Sequence, residues 1–337
     1  MTPVVIRDAE PADAEAISRV ARASWRETYR SIYEPAFIED FVARSYAPEQ
    51  LAAAADRAGE RDDIHFLVAE RDGGVVAFAH YGVGARGPEL FRIYADPAHY
   101  GTGAGSALLD ELESRIDVDA YVVDVQSRNA RGRAFYDRRG FVIVGEGTLL
   151  EGDLTLRRTL QPIRPALPTM TERLVLRELI DADVAAAHRI YGDAETMRHV
   201  GRSGRPAADL DATAKVVAFA RRHAEQHGFS LWAVDEREGD PLVGVAGLVW
   251  VEGHGPEVEA AYLLRRDRWG RGYATETLRQ VLRIGHEELG LERIVALAYP
   301  ENDASRRVME KAGMRADGTV AAYDHELTRH VSGQATR

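Results

Sequence analysis

The sequence predicts a mixed α/β protein made of two copies of one domain, on three observations. Glycine-rich segments that follow a strand and open a helix occur twice, as Tyr100-Gly101-Thr102-Gly103-Ala104-Gly105 and as Trp269-Gly270-Arg271-Gly272-Tyr273-Ala274. Their surroundings repeat too: Arg7 and Asp13 return as Arg177 and Asp183, 170 residues on, and Asn129 through Gly140-Phe141 returns as Asn302 through Gly313-Met314, 173 residues on. A nearly uniform offset over that length means duplicated domains, because solenoid repeats run at about 20–50 residues. The third observation is length, since 337 residues give each copy enough chain to bury its own core. The three prolines of Gln161-Pro162-Ile163-Arg164-Pro165-Ala166-Leu167-Pro168 suit a stiff, extended connector. The expected organisation is a domain over 1–160, a linker over 161–169 and a domain over 170–337.

Each half shows the same order of elements. In the first, Val4 to Arg7 reads as a strand, and Asp13 precedes apolar residues at Ile17, Val20 and Ala21, the spacing of a helix face. Trp25 to Tyr46 is mixed and expected to be helical. Ile64 to Ala69 and Val75 to Tyr81, parted by Arg71-Asp72-Gly73-Gly74, read as a hairpin. Glu89 to Ala95 is the strand that leads to the glycine segment. Leu108, Leu109, Leu112 and Ile116 make a helical stripe, Tyr121 to Val125 a strand, and Ala130 to Arg138 a final helix closed by Gly140. The second half repeats this with a strand at Leu174 to Arg177, a helix and a hairpin across Gly239-Asp240-Pro241. Strands at Val258 to Leu264 and Ile294 to Tyr299 follow, each succeeded by a helix.

Composition narrows the class. There is no cysteine, which excludes disulfides, thiolate metal sites and an acyl-cysteine intermediate. Met1 to Asp8 lacks the basic start and apolar stretch of a signal peptide, and the best apolar run, Val243 to Val251, is far short of the roughly 20 residues of a membrane span. A net charge of −11 disfavours broad binding to nucleic acid or anionic membranes, leaving Arg265-Arg266 and Arg306-Arg307 as local anion contacts. The expected setting is cytoplasmic, as a monomer or homodimer. His223 and His227 share one helix face, but with no third ligand they read as a solvated helix, and no metal site is expected.

Glycines at a helix start let backbone amides approach a ligand, and unpaired amides with the helix dipole favour a pyrophosphate. A dinucleotide fold wants Gly-x-Gly-x-x-Gly right after the first strand, whereas Ser106 and Thr275 fill the last place and the segments fall late in each domain. A P-loop wants Gly-Lys-Ser/Thr, and neither segment has a lysine. Structural turns with no ligand are the remaining reading, which the pairing of the segments disfavours.

Both halves resemble the GNAT superfamily of acyl-CoA-dependent N-acyltransferases. The resemblance rests on Gly103-Ala104-Gly105 and Gly272-Tyr273-Ala274, the end of that family's Gln/Arg-x-x-Gly-x-Gly/Ala segment, with Tyr100 and Trp269 in place of the first residue. It rests also on Asn129-x6-Tyr136-x3-Gly140-Phe141, similar to the family's last common helix, and on Ser24-Trp25-Arg26-Glu27-Thr28-Tyr29 near the start. Trp269 to Glu276 and Asn302-Asp303-Ala304-Ser305 resemble the branch of ribosomal-protein alanine N-acetyltransferases. The resemblance implies two domains, each a mostly antiparallel twisted sheet flanked by helices. It implies acetyl-CoA as acyl donor, direct transfer without an acyl-enzyme, and a small-molecule amine or a peptide or protein N-terminus as acceptor. It places CoA on Tyr100, Gly101, Thr102, Gly103, Ala104, Gly105 and Asn129, and on Leu264, Trp269, Gly270, Arg271, Gly272, Tyr273, Ala274 and Asn302. The alternative is a non-catalytic acyl-CoA sensor or scaffold with one or both halves degenerate.

A protonated amine cannot attack a thioester, so a carboxylate has to take its proton and the leaving thiolate has to receive one. Glu89 is the candidate base of the first half and Tyr136 the candidate acid, with the amides of Ile93 or Ala95 holding the thioester oxygen. Trp25 and Tyr29 either line the amine pocket, as the resemblance implies, or serve as core aromatics. In the second half Glu259 is the candidate base, with Glu257 two residues earlier on the same face. Met309 stands where Tyr136 stands, and Ser305, one turn after Asn302, is the substitute implied by its branch. Glu89 precedes Gly101 by 12 residues and Glu259 precedes Gly270 by 11, so the two are equivalent only if a bulge intervenes. This asymmetry assigns catalysis first to the N-terminal half, leaving the second to use Ser305 with Glu259 or to bind and support.

Overall fold

Two-residue turns in the left-handed region set the hairpins that build both sheets. Asp72-Gly73, at φ 51° and 77°, joins β2 (His65–Arg71) to β3 (Gly74–Gly84), and Tyr323-Asp324, at φ 53° and 63°, joins β14 (Arg315–Ala322) to β15 (His325–Gly333). The structure is a computed structural model that describes residues 2–147 and 149–333, and the chain divides into units Met1–Gln161 and Pro162–Arg337.

In the first unit β1 (Val5–Asp8) leads into α1 (Ala14–Tyr29), α2 (Pro35–Ser45) and α3 (Pro48–Gly59). After β2 and β3 come β4 (Gly87–Ala95), α4 (Ala104–Arg115), β5 (Ala120–Gln126), α5 (Ala130–Arg138), β6 (Phe141–Glu146) and β7 (Asp153–Thr159). The sheet order is β1-β2-β3-β4-β5-β7-β6, antiparallel except between β4 and β5. One face packs Phe66, Val68 and Phe78 against α1, α2 and α3, and the other packs Leu67, Leu90 and Tyr121 against α4 and α5.

The second unit repeats the plan with β8 (Thr169–Met170), β9 (Leu174–Glu178), α6 (Val184–Tyr191), α7 (Ala194–Met197), α8 (Leu210–His227), β10 (Leu231–Glu236) and β11 (Gly244–Trp250). Then follow β12 (Val258–Leu264), α9 (Tyr273–Arg283), β13 (Arg293–Ala298), α10 (Asp303–Lys311), β14 and β15. Its order is β14-β15-β13-β12-β11-β10-β9-β8, and only β12 and β13 are parallel. The mostly antiparallel sheet flanked by helices is therefore present twice.

The repeated Arg and Asp of each half form a clamp. Arg7 holds both oxygens of Asp13 (2.7 and 2.9 Å) and reaches Glu70 on β2 (3.0 Å), while Arg177 holds Asp183 (2.8 and 2.9 Å) and reaches Asp235 on β10 (2.7 Å). Each thus ties its unit's first long strand to the turn that starts a helix. The expected linker is laid on the second unit: Leu167 packs on its core, the Ala166 N–H donates to Glu288, and Thr169-Met170 pairs with β9. The reading of His223 as part of a solvated face is corrected. The ring is buried, with Nδ1 donating to the Phe229 carbonyl and Nε2 accepting from the Trp250 N–H, so it pins α8 to β11. None of the described helices is long and apolar enough to cross a membrane, and no group of three metal-binding side chains occurs among the described residues.

Gly247 sits on β11 directly against the Ser230 carbonyl, which an added Cβ would strike. Gly247→Ala should destabilise the second unit by about 1–3 kcal/mol and leave the first unchanged. Hydrogen exchange followed separately in the two units during urea unfolding checks this.

Candidate active site

Both glycine segments open a helix in the same conformation. Gly101 and Gly103 (φ 74° and 89°) precede α4, and Gly270 and Gly272 (φ 74° and 79°) precede α9. No side chain caps either helix start, so the first amides of each remain available to an anion. An arginine from outside the loop holds the same carbonyl in both copies: Arg71 donates to Thr102 O (3.4 Å) and Arg173 to Arg271 O (2.9 Å). Because the peptide is planar and trans, anchoring that carbonyl turns the next N–H to the opposite side. Arg173 is balanced by Glu276 (2.6 Å), whereas Arg71 is buried with Nε and Nη1 lacking partners. The first-position aromatics act locally. Tyr100 Oη bonds Ser24 (3.1 Å) and Thr28 (3.2 Å) of α1 beneath Arg131, and the Trp269 indole N–H donates to Leu264 O (2.8 Å).

The strand before each segment parts from its parallel neighbour. β4 bridges β5 at Glu89 opposite Val122, and β12 bridges β13 at Glu259 opposite Val295. The two glutamates occupy the same position of the same bridge. The one-residue difference in spacing is absorbed by a bulge at Phe91, since Leu90 faces Tyr81 and Arg92 faces His80, while β12 runs against β11 without a break.

Around Glu259 the second unit encloses a cavity of ≈1020 Å³. Glu259 is 9% exposed, and burial pushes its carboxyl up to about 7 despite the hydrogen bond from Tyr323 Oη at 2.6 Å, which pulls it down. Tyr323 also takes the Glu252 N–H (3.2 Å) and gives its own N–H to the Glu252 carboxylate (2.9 Å), so the tip of the β14–β15 hairpin is tied to the end of β11. On the other side of the cavity Tyr262 Oη lies 2.7 Å from Ser305 Oγ, and burial pushes the phenol up to about 12. The glycine segment and α9 start line the same space with Arg268, Arg307 and Lys311. Asn302 caps α10 by accepting from the Ser305 N–H (3.1 Å). Glu257, expected beside Glu259, instead meets Arg293 and Arg329 (both 3.4 Å).

The first unit gathers fewer of its expected residues. Glu89 pairs with Arg86 (2.7 Å), which also holds Asp124 (2.9 Å), and a Cβ on Gly84 would stand 2.6 Å from the Glu89 carboxylate. Tyr136 is 6% exposed and packs in the core against Phe135 and Phe141, as Met309 (1%) packs in the second core. Trp25 (2%) stacks on Phe41 and Tyr29 lies tilted against Tyr33, and both are buried among the core aromatics. Asn129 caps α5 through the Gly132 N–H (2.9 Å). Gly132 stands where Ser305 stands, and Ile93 where Tyr262 stands.

A family model described as acetyltransferase (GNAT) domain matches residues 173–315, and another of that description matches residues 62–143. The chain belongs to the GNAT acetyltransferase family. It is a tandem N-acetyltransferase, and its chemistry is N-acetylation with acetyl-CoA. Curated relatives include the uncharacterized N-acetyltransferase YoaA of Bacillus subtilis, 28% identical over 156 residues, covering 46% of this chain and 87% of that one. Spermidine N(1)-acetyltransferase of Thermoplasma acidophilum is 31% identical over 143 residues, covering 42% and 89%. Among solved structures, the PaiA N-acetyltransferase of T. acidophilum in complex with coenzyme A is 28% identical, with a TM-score of 0.44 over 47% of this chain and 99% of that one.

Tyr262 and Tyr323 escaped the sequence reading. Tyr262 stands three residues after Glu259 on an unbroken strand, hence on the other face, so its spacing carries no signal; Tyr323 lies in a hairpin that the sequence does not predict. Glu259 has a thermodynamic consequence. The folded chain holds its proton up to about pH 7 and the unfolded chain only to about 4.5, so the stability it confers is full below 4.5 and is lost as pH rises through 7. Glu259→Gln should remove that dependence and gain up to about 3 kcal/mol on the wild type between pH 5 and 8, read by denaturant unfolding at each pH.

Proposed function

We propose that the second unit is the principal acetyl-transfer centre, with Glu259 as base and the Ser305–Tyr262 pair as proton source for the leaving sulfur. A single observation carries the reading: a buried carboxylate held near neutrality shares one cavity with a hydroxyl pair and with the glycine-led start of α9. Five residues separate Glu259 from Leu264, about 17 Å of strand, so a donor anchored by its diphosphate at the glycine segment needs an arm of that reach. Acetyl-CoA meets that need, and Arg307 and Lys311 suit its phosphates, while Arg268 is engaged by Glu236, Asp240 and Asp267.

The chemistry follows in order. Glu259 takes a proton from the acceptor ammonium, and the freed nitrogen attacks the thioester carbon. Backbone amides in the gap between β12 and β13, at Tyr262 or Leu264, hold the oxygen as it gains charge. The C–S bond then breaks as the nitrogen loses its second proton to solvent, while the sulfur takes the Ser305 hydroxyl proton, Tyr262 replaces it, and a proton from solvent restores the phenol. Transfer is direct, to a primary amine.

The first unit is proposed to bind acetyl-CoA at Gly101–Gly105 and to act as the weaker centre through Glu89, with an acceptor of its own. An incoming ammonium there has to compete with Arg86 for the carboxylate. Its sulfur-side donor is Tyr136, whose burial in the core is the observation favouring a mainly binding role.

Glu259→Gln should lower turnover by about 10²–10⁴-fold with acetyl-CoA affinity little changed, and Ser305→Ala should lower it less, because Tyr262 Oη remains in the cavity. Glu89→Gln should cost only a minor share of the activity. Steady-state rates with a panel of amines, alongside calorimetric titration with acetyl-CoA, read all three. A Glu259→Gln enzyme that keeps full turnover while chemistry limits the rate would remove this glutamate from the mechanism.

Tyr323 sets when Glu259 can act. Its hydrogen bond favours the charged carboxylate, so Tyr323→Phe should raise the carboxyl further and move the acid limb of the kcat/KM profile to higher pH, with the rate recovering on the alkaline side. A profile that merely falls in height, unshifted, would make Tyr323 a packing residue only.

A further inference from the structure

On the sheet face that carries Glu89, a second polar cluster stands apart from the glycine segment. A cleft of ≈390 Å³ opens between α3 and strands β3 and β4, with Ser45, Glu49, Arg57, His80 and Arg92 among its walls. Arg57 and Arg92 both act on His80, which burial and these two cations push down to about 3, so its ring is neutral. His80 Nδ1 is sealed from solvent and has no partner. Arg92 spends its contacts on neutral groups, the Ser45 carbonyl (3.2 Å) and the Tyr46 ring (4.9 Å), and among the described residues neither arginine forms an ion pair. Glu49 stands in the first turn of α3, which starts at Ala47 without a capping side chain.

Two guanidinium groups on one cleft, neither of them ion-paired to the Glu49 that shares its wall, form a cradle for an oxyanion, and their planar forks match a carboxylate or phosphate. The register fixes where this cradle lies. Glu89 faces Gly82 and Arg92 faces His80. Residues directly opposite share a face, and Gly82 and His80 are two apart on β3, so Glu89 and Arg92 project from the same side. They are separated by about 7 Å along the strand. The Phe91 ring stands between them, 5.3 Å from the His80 ring.

We propose that this cleft is an oxyanion subsite of the first unit, which holds the carboxylate or phosphate of a small amine acceptor while its nitrogen meets Glu89. The proposal rests on the reading of the first unit as an acetyl-transfer centre. It gives the two units different acceptors, because the lining of the second cavity includes no such arginine pair on the Glu259 side.

The test uses the full chain carrying Glu259→Gln, so that the first unit's turnover is seen alone. Three acceptors of equal chain length are compared: an alkylamine with no anionic group, the ω-amino carboxylate and the aminoalkyl phosphate. One or both anionic acceptors should show a KM about tenfold or more below that of the alkylamine, and the comparison between them tells carboxylate from phosphate. Arg57→Gln, at an exposed position, and Arg92→Gln should each erode the preference and leave the alkylamine rate unchanged, and inorganic phosphate should compete with the preferred acceptor. No preference, a preference that survives both substitutions, or phosphate inhibition that is not competitive overturns the subsite. If the first unit binds acetyl-CoA yet acetylates none of the three, the catalytic reading of that unit fails instead. Calorimetry with inorganic phosphate then decides the cleft: binding lost in the Arg57→Gln/Arg92→Gln chain supports an oxyanion site, and binding absent from the parent or unchanged in the variant overturns it.

Discussion

The parting of one parallel strand pair in each sheet is the constraint on which the rest depends. Every other pairing is antiparallel and runs over two residues or more, but β4 meets β5 and β12 meets β13 at one position each, Glu89 opposite Val122 and Glu259 opposite Val295. Past that bridge the backbone edge of β4 or β12 has no neighbouring strand, and buried edges need partners. A ligand with its own amide groups would satisfy that edge. The glycine-led helix follows the same strand, so an anion at its start and an extended arm along the open edge are demanded together. Neither half of that requirement would suffice alone, since a helix start binds many anions and an open edge many peptides.

Duplication then lets each copy be read against the other. The Phe91 bulge keeps Glu89 on the same bridge as Glu259 although the chain is one residue longer. What surrounds the two carboxylates has diverged. Where the second unit has Tyr262 and Ser305 in contact across its cavity, the first has Ile93 and Gly132, which carry no proton. Where the first has Tyr136, the second has Met309, and both side chains are core. A phenol at that position looks catalytic in sequence because the helix carries it just past an asparagine, yet the asparagine in both copies is a helix cap.

How far the site could be read from sequence follows from how local each signal is. Glycines in the left-handed region, capping asparagines and the strand before each loop are set by neighbours within a few residues, and all were legible. Duplication added the equivalence of the two glutamates, conditional on a bulge that only strand register could show. Contacts between distant segments were not legible. Tyr323 is 64 residues from the carboxylate it serves, in a hairpin whose turn lacks the glycine that usually marks one. For Trp25 and Tyr29 the family resemblance leaves pocket and core both open, and only tertiary packing shows them buried in the core. His223 is likewise fixed by contacts the sequence does not display, the Phe229 carbonyl just past α8 and the Trp250 N–H on β11.

That hairpin also shows where the second site stores its cost. Tyr323 and Asp324 both adopt the left-handed region, which bulky residues rarely occupy and which costs free energy at each. Burying Glu259 costs more. The structure sets both against contacts made by the same tip: Tyr323 binds Glu259 and Glu252, and Arg202 spans Asp324 (2.8 Å) and Glu252 (2.9 Å). An exposed arginine pair adds little to stability by itself, but here it fixes the turn that aims the phenol. The strained turn and the desolvated carboxylate therefore sustain one another. Relaxing the turn would withdraw the donor that favours the carboxylate's charged form, and Glu259 would then keep its proton to higher pH.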